Sequence, residues 1–555
     1  MNGTALPTST APASSKLHNL ESTPKHLEPS TNRPVKTGAR IAGQGVLGLP
    51  SAELTNLCHS HGAAIITTFF SHGGFIARLL LLSGLLLTAP WSDRAAANDF
   101  GLPVLGDATS GVISLQQEHD LGRAWLRAFR SRVQTLDDPQ LSVYVRDLLL
   151  ELAAHSTLEN PRLELVVINN PTMNAFAVPG GIVGVHTGLF RFAESEDQLA
   201  SVLAHELAHL SQRHFARRVE GQRASSIGTM AGLLTGIILA ATVGGDAGMA
   251  AITATQAAAL DSQLRYSRQH EQEADRVGIE TLARAGRNPR AVSEMFERML
   301  AATRYTGRRP PEFLLTHPLT ENRVADARNR INNYPTRHYP ASPQYAYMRA
   351  RALLHIDANA QRSINRFTNE LQGESLLHSA SRYGLALAQS RAGLHEEARE
   401  TLAPLLEGEP RNLTFQLAAV ELDTASGRYD NALEKLAEAE KLRGNQYALQ
   451  RARAEILLRK ADYSGSQTVL EALSRSYPED PDVWFQLAEV SGLAGDIVTV
   501  HKARAEYFIM IGVFDQARRQ LGYAEKLVRG NFRESALIEQ RLKDVAVLEE
   551  KTRNL

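Results

Sequence analysis

His205, Glu206 and His209 stand in the order His-Glu-x-x-His, two imidazoles one helical turn apart with a carboxylate between them. On a helix, positions i and i+4 share a face, so both histidines can aim a ring nitrogen at one metal ion about 2.0 to 2.1 Å away. Glu206 then stands beside the metal's open position, where a zinc hydrolase activates water. Leu199, Val202, Leu203, Leu207 and Leu210 recur at helical spacing and acid lies near the start, so a helix is predicted over Glu196 to Gln212.

A catalytic zinc normally takes three protein ligands and leaves the fourth place to water. The segment Ser267 to Asp275 offers the third donor. Glu271 and Asp275 share one helical face, while Glu273 projects about 200° away, so only one of the two glutamates can work with Asp275. Glu271 is taken as the ligand. Asp275 then suits a supporting place, holding a ligand histidine by its other ring nitrogen or acting in proton transfer. The bland alternative for this acidic cluster, beside Arg268 and Arg276, is a solvated helix face.

Together these residues resemble metallopeptidase family 48, which includes the HtpX membrane proteases and the CAAX prenyl protease. Four motifs in the family's order carry the resemblance: Met173 to Gly181 with Asn174, His205 to His209, Glu271 to Asp275, and His317-Pro318 with Arg323 six residues beyond the histidine. The resemblance implies a zincin-type domain holding one Zn2+ through His205, His209 and Glu271, with Glu206 as catalytic base and Asn174 bonding the substrate backbone. It gives His317 one of two roles. Either its imidazole stabilises the oxyanion with support from Arg323, or the His-Pro loop occupies the zinc's open position and holds the enzyme off.

Several elements must position these groups. Leu163 to Ile168 and Ile182 to Val185 are short, β-branched and bounded by Asn, Pro and Gly, so they are predicted strands of a small sheet with Gly180-Gly181 as a turn. An exposed edge of that sheet is suited to pair with an extended peptide. Ser114 with Gln117 forms a capping-box pattern, Asp138-Pro139 begins a helix to about His155, and Pro318 is expected to initiate a helix over Leu319 to Arg330. Residues 227–260 hold a single charge, Asp246, and are read as a helical lid that is buried or touches a membrane; a membrane hairpin is the alternative.

Beyond about Pro340, Gly393, Gly427, Ala461 and Gly495 recur every 34 residues, the period of tetratricopeptide helix pairs, and a further unit follows at Gly512 to Ala517. Such pairs stack into a solenoid whose concave surface binds proteins. The N-terminal 60 residues are rich in Ser, Thr, Pro, Gly and Asn and are predicted to be disordered. Arg78, the run Leu79 to Ala89 and Ala95-Ala96-Ala97 have the pattern of a secretion signal cleaved near Ala97, with an uncleaved inner-membrane anchor as the alternative. Cys58, the only cysteine, falls in the segment to be removed. Lys plus Arg and Asp plus Glu number 60 each, so nothing indicates a nucleic-acid partner.

The expected fold is therefore mainly α with a small β-sheet: a leader over 1–97, a zinc metallopeptidase domain over 98–339 and an all-α tetratricopeptide solenoid over 340–555. Combined with the secretion signal and the repeats, the resemblance implies a periplasmic endopeptidase that degrades misfolded or stalled outer-membrane proteins and assists their assembly. The repeats would bind substrate or the barrel assembly machinery. The competing reading is a non-proteolytic chaperone or assembly adaptor with a structural zinc site; it gives Glu206, which ligates nothing, no reason to be present.

Overall fold

In the computed structural model, Ser114 Oγ accepts the Gln117 N–H at 3.2 Å while the Ser114 N–H donates to Gln117 Oε1 at 2.8 Å, closing the capping box at the head of α1 (Leu115–Arg130). Asp138 caps α2 (Pro139–Ala154) by accepting the Leu141 N–H at 3.1 Å. The structure describes residues 113–160, 162–221, 268–305, 311–373, 375–444 and 446–553, all in one compact unit. The leader, Cys58, the cleavage point near Ala97 and the 227–260 stretch lie outside the described residues. Among the described residues no helix is long and apolar enough to cross a membrane.

Three strands follow: β1 (Glu164–Ile168), β2 (Ala175–Val178) and β3 (Ile182–His186). β3 lies in the middle, parallel to β1 and antiparallel to β2, so β2 is an edge. The tight link between β2 and β3 uses Gly180 and Gly181 at φ 84° and 82°, a backbone state that L side chains rarely adopt. Beneath it, Gly122 of α1 packs so closely that a Cβ there would sit 2.2 Å from the Pro179 carbonyl oxygen. Two short helices, α3 (Leu189–Phe192) and α5 (His214–Gly221), flank α4 (Glu196–Ser211), which Ser195 caps and which is buried from Gln198 to His209.

Among the described residues the remaining helices before position 340 are α6 (Arg268–Arg284), α7 (Ala291–Tyr305), α8 (Glu312–Thr316) and α9 (Glu321–Ile331). α9 begins two residues later than expected, because Thr320 rather than Pro318 opens it by accepting the Arg323 N–H at 3.3 Å. Pro318 therefore stays in the loop. α6 crosses α4 at Gly278, where a Cβ would lie 3.3 Å from the main chain of Ala204 and His205. That close approach brings the acidic face of α6 against the histidine face of α4.

Twelve further helices run from α10 (Pro343–Ile356) and α11 (Ala360–Gln372) to α20 (Phe514–Leu527) and α21 (Phe532–Arg553). Between them α12 (His378–Arg391) pairs with α13 (His395–Gly408), α14 (Leu413–Ala425) with α15 (Tyr429–Arg443), α16 (Tyr447–Arg459) with α17 (Tyr463–Ser476), and α18 (Pro481–Ala494) with α19 (Ile497–Met510). The four turns inside these pairs fall on Gly393, Gly427, Ala461 and Gly495, all left-handed at φ 63° to 84°. The 34-residue period is thus a period of turns. Ala461 holds that conformation with a Cβ, at a cost of about 1–2 kcal/mol.

Packing does not break at position 340. One apolar cluster runs from Leu141, Leu152, Phe190 and Leu203 through Tyr345, Leu353 and Tyr383 to Phe415 and Leu422. Across the same junction Arg351 Nε donates to Asp138 at 2.7 Å, His355 Nε2 lies 2.9 Å from Asp138 Oδ2, and Arg451 donates to Asp137 at 2.7 Å.

Candidate metal centre and active site

α4 presents His205 and His209 on one face with their Nε2 atoms 3.1 Å apart. α6 brings Glu271 opposite, with Oε2 3.5 Å from His205 Nε2 and Oε1 3.5 Å from His209 Nε2. The loop between α8 and α9 adds His317, whose Nδ1 lies 3.0 Å from Glu271 Oε1 and 3.4 Å from His205 Nε2. One donor atom from each of these four buried residues falls within 4.8 Å of the others, the one such grouping among the described residues. Two imidazoles and a carboxylate are a catalytic zinc donor set, and convergence of three lone-pair groups with few protons to share fits a cation between them.

Charged neighbours hold these donors in place. Asp275 Oδ1 lies 3.0 Å from His205 Nδ1, the ring nitrogen facing away from the cluster. Arg323 forks onto Asp275, with Nε to Oδ2 and Nη2 to Oδ1 both 2.7 Å, while its Nη1 lies 2.8 Å from Glu271 Oε2 and donates to the Pro318 carbonyl at 2.9 Å. One guanidinium thus ties two α6 carboxylates to the His-Pro loop. Phe313 stacks on the His317 ring at 4.7 Å.

The fields in the pocket follow from this packing. Burial alone would lower His205, but hydrogen bonds to Asp275 and Glu271 outweigh it and lift the imidazole to about 9. His209 is driven well below its ordinary value by burial and then by the charge of His205. Burial works to raise Glu271, yet His317, His205 and Arg323 hold it well below the usual carboxylate range. Glu206 goes the other way: burial pushes its carboxyl up, against the pull of His317 and His205. Both its oxygens are buried; the main-chain N–H of Ala177 faces the carboxylate and Oε1 is 3.5 Å from His317 Nε2.

Of the residues expected from the sequence, the structure brings together His205, Glu206, His209, Glu271, Asp275, His317 and Arg323. Asn174 stands apart from that network, buried at the head of β2, where its carbonyl accepts the His186 N–H at 3.1 Å. Glu273, on the other face of α6, meets His214 and Arg217. His214, Phe313 and Gly278 were not singled out by sequence reasoning. His214, five residues after His209, had no signal in its spacing, because a continuous helix would turn the two side chains apart.

A family model for peptidase family M48 matches residues 139–331, the span that carries the whole cluster. A tetratricopeptide model matches 423–488. The beta-barrel assembly-enhancing protease of Escherichia coli (strain K12) is 34% identical over 455 residues, covering 81% of this chain and 92% of its own length. The chain belongs to the M48 metallopeptidases. The family's beta-barrel assembly-enhancing protease from Yersinia pestis is 32% identical over 480 residues, 85% of this chain and 98% of its own. The mitochondrial metalloendopeptidase OMA1 of Schizosaccharomyces pombe, another similar protein, is 35% identical over 184 residues, 33% of this chain and 51% of its own. Membership makes the chain a metalloprotease, and the His/Glu grouping able to hold a metal lies inside the matched span.

Proposed function

We propose that this metalloprotease is a periplasmic zinc endopeptidase that degrades misfolded or stalled outer-membrane proteins and assists their assembly. The name shared by the Escherichia coli and Yersinia pestis relatives supports the substrate class, and the repeats supply a surface for substrate or for the barrel assembly machinery. The leader over 1–97 is its secretion signal, the catalytic domain extends over 98–339 and the binding domain over 340–555. His205, His209 and Glu271 hold one Zn2+, which when bound supplies Lewis acidity and a water whose pKa falls to about 7.

The chain's own residues do the rest. Glu206 takes the proton of the attacking water, and its fully buried carboxyl, outside the donor cluster yet 3.5 Å from His317 of that cluster, is the observation that carries this reading. Burying an acid costs free energy, and one kept buried beside the donor cluster without joining it has a use in accepting a proton. Asp275 fixes His205 by its outer nitrogen, and Arg323 fixes Asp275. The edge of β2, buried in this conformation rather than exposed as expected, takes the substrate as a further strand once uncovered, with Asn174 at its head. His317, the fourth donor of the cluster, holds the enzyme off in this conformation and leaves when the His-Pro loop moves.

Glu206→Gln tests the assignment. The variant is expected to keep stoichiometric zinc and to lose proteolysis of an unfolded outer-membrane protein by about 10² to 10⁴-fold. Undiminished cleavage would overturn it.

A further inference from the structure

We infer that His214 is a positioning residue of the metal site, which with Glu273 fixes the tautomer of His209 so that the lone pair of His209 Nε2 faces the metal. The inference rests on the reading of His209 as a ligand.

Two ring nitrogens meet on the far side of His209: its Nδ1 lies 2.9 Å from Nδ1 of His214. Such a pair shares one proton, so one nitrogen donates and the other accepts. The direction is decided two bonds further along. His214 Nε2 lies 3.2 Å from Glu273 Oε2, and that oxygen also accepts from Arg217 Nη1 at 2.9 Å. A carboxylate engaged by a guanidinium only accepts, so the proton of His214 belongs on Nε2 and its Nδ1 is the acceptor. His209 must then carry its proton on Nδ1. Its Nε2, 3.5 Å from Glu271 Oε1 and 3.1 Å from His205 Nε2, then carries no proton and turns its lone pair into the donor cluster. Reversing the chain would put a proton on Nε2 and remove His209 from the ligand set.

The backbone is shaped for this contact. In an unbroken helix, residues five apart point about 140° from one another and their side chains do not meet. Arg213, at φ 49°, breaks the path between α4 and α5 and turns His214 back onto His209. Arg213 is held in that unusual conformation by its own side chain, which donates to the Ile113 carbonyl at 2.6 Å and to Glu118 Oε1 at 3.2 Å. The His214 ring is fully buried and His270 stacks on it at 4.4 Å and 13°, which sets its plane. The two ligand histidines are thus anchored differently, His205 by a carboxylate directly and His209 through a second imidazole.

Titration of the metal-free full-length chain with Zn2+ against a chelator tests the relay. His214→Leu, which offers no acceptor, is expected to weaken zinc binding about 10 to 100-fold, the usual cost of losing such a partner. His214→Gln restores a carbonyl acceptor and is expected to recover most of that loss; equal weakening in both variants would overturn the proposal. Glu273→Leu, at a site that is partly exposed and so tolerant of the change, is expected to weaken binding in the same direction, and unchanged affinity would also overturn it. Long-range 15N–1H spectra of the zinc-loaded wild type are expected to show His209 protonated at Nδ1, and protonation at Nε2 would sink the inference whatever the variants do. A His209→Ala chain that keeps full affinity would instead remove the ligand assignment underneath.

Discussion

Around His205 each charged group answers to several others, whereas in the helical array each hairpin turns on a residue of its own. Arg323 serves Asp275, Glu271 and Pro318 at once, and Asp275 serves Arg323 and His205. Deleting any member leaves a buried charge without its partner, which costs about 3–5 kcal/mol, and the losses do not add. The turns at Gly393, Gly427, Ala461 and Gly495 are far apart and alike, so changes there act separately. A pocket built in the first way binds its metal as a unit. An array built in the second way tolerates drift in any one repeat.

The comparison can be broken hardest at the ligands. His205→Ala, His209→Ala and Glu271→Gln are each expected to lose most zinc affinity, because two ligands rarely hold zinc against dilution, while Glu273→Gln keeps stoichiometric metal. Metal content after dialysis decides it, and a zinc-replete Glu271→Gln chain would show that the wrong glutamate was assigned. Next comes His317→Ala, assayed at equal zinc content. Peptide cleavage is expected to rise, since the imidazole no longer competes for the open position; a fall of about 10² to 10³-fold would mean that it stabilises the oxyanion.

Between the two regions, Asp138→Ala leaves Arg351 to Glu421 alone and uncaps α2, so denaturant unfolding should show a loss of about 2–3 kcal/mol. A loss below about 1 kcal/mol would mean that the halves hold together through apolar packing alone. Within the array the effects are smallest. Ala461→Gly should stabilise by about 1 kcal/mol and Gly427→Ala destabilise by a similar amount, because φ is positive at both. The two changes should sum within about 0.5 kcal/mol, whereas Asp275→Ala with Arg323→Ala should not.

The parts that were legible in the sequence are those with a short period. His205 and His209 one turn apart, Glu271 and Asp275 one turn apart, and glycines every 34 residues each declare a local geometry that the structure repeats. Two local signals competed before α9, a proline and a threonine two residues later, and the side chain able to accept a backbone N–H prevailed. What no window of sequence carries is the meeting of elements. The contact between His209 and His214 depends on a left-handed arginine held from α1, and the continuity of the core across position 340 depends on which face of α10 meets α2. A fragment starting at Pro340 would bare Tyr345, Met348 and Leu353, so its independent folding, expected from the repeat pattern, is open to a direct check by circular dichroism and cooperative unfolding.

α1 has a place in the molecule that its length does not suggest. Its Gly122 abuts the turn between β2 and β3, Arg123 Nη1 lies 3.5 Å from Glu479 in the array, Arg127 donates to Thr552 near the last described residues, and Gly512 packs on Arg127. The array is therefore moored through α10 at its beginning, through Arg451 on Asp137 at its middle and against α1 at its end. A solenoid moored once flexes like a spring, adding small rotations from joint to joint. Moored at both ends and between, it behaves as a braced arch: its far end cannot open without pulling on α1, and α1 carries that pull to the hairpin of β2 and β3.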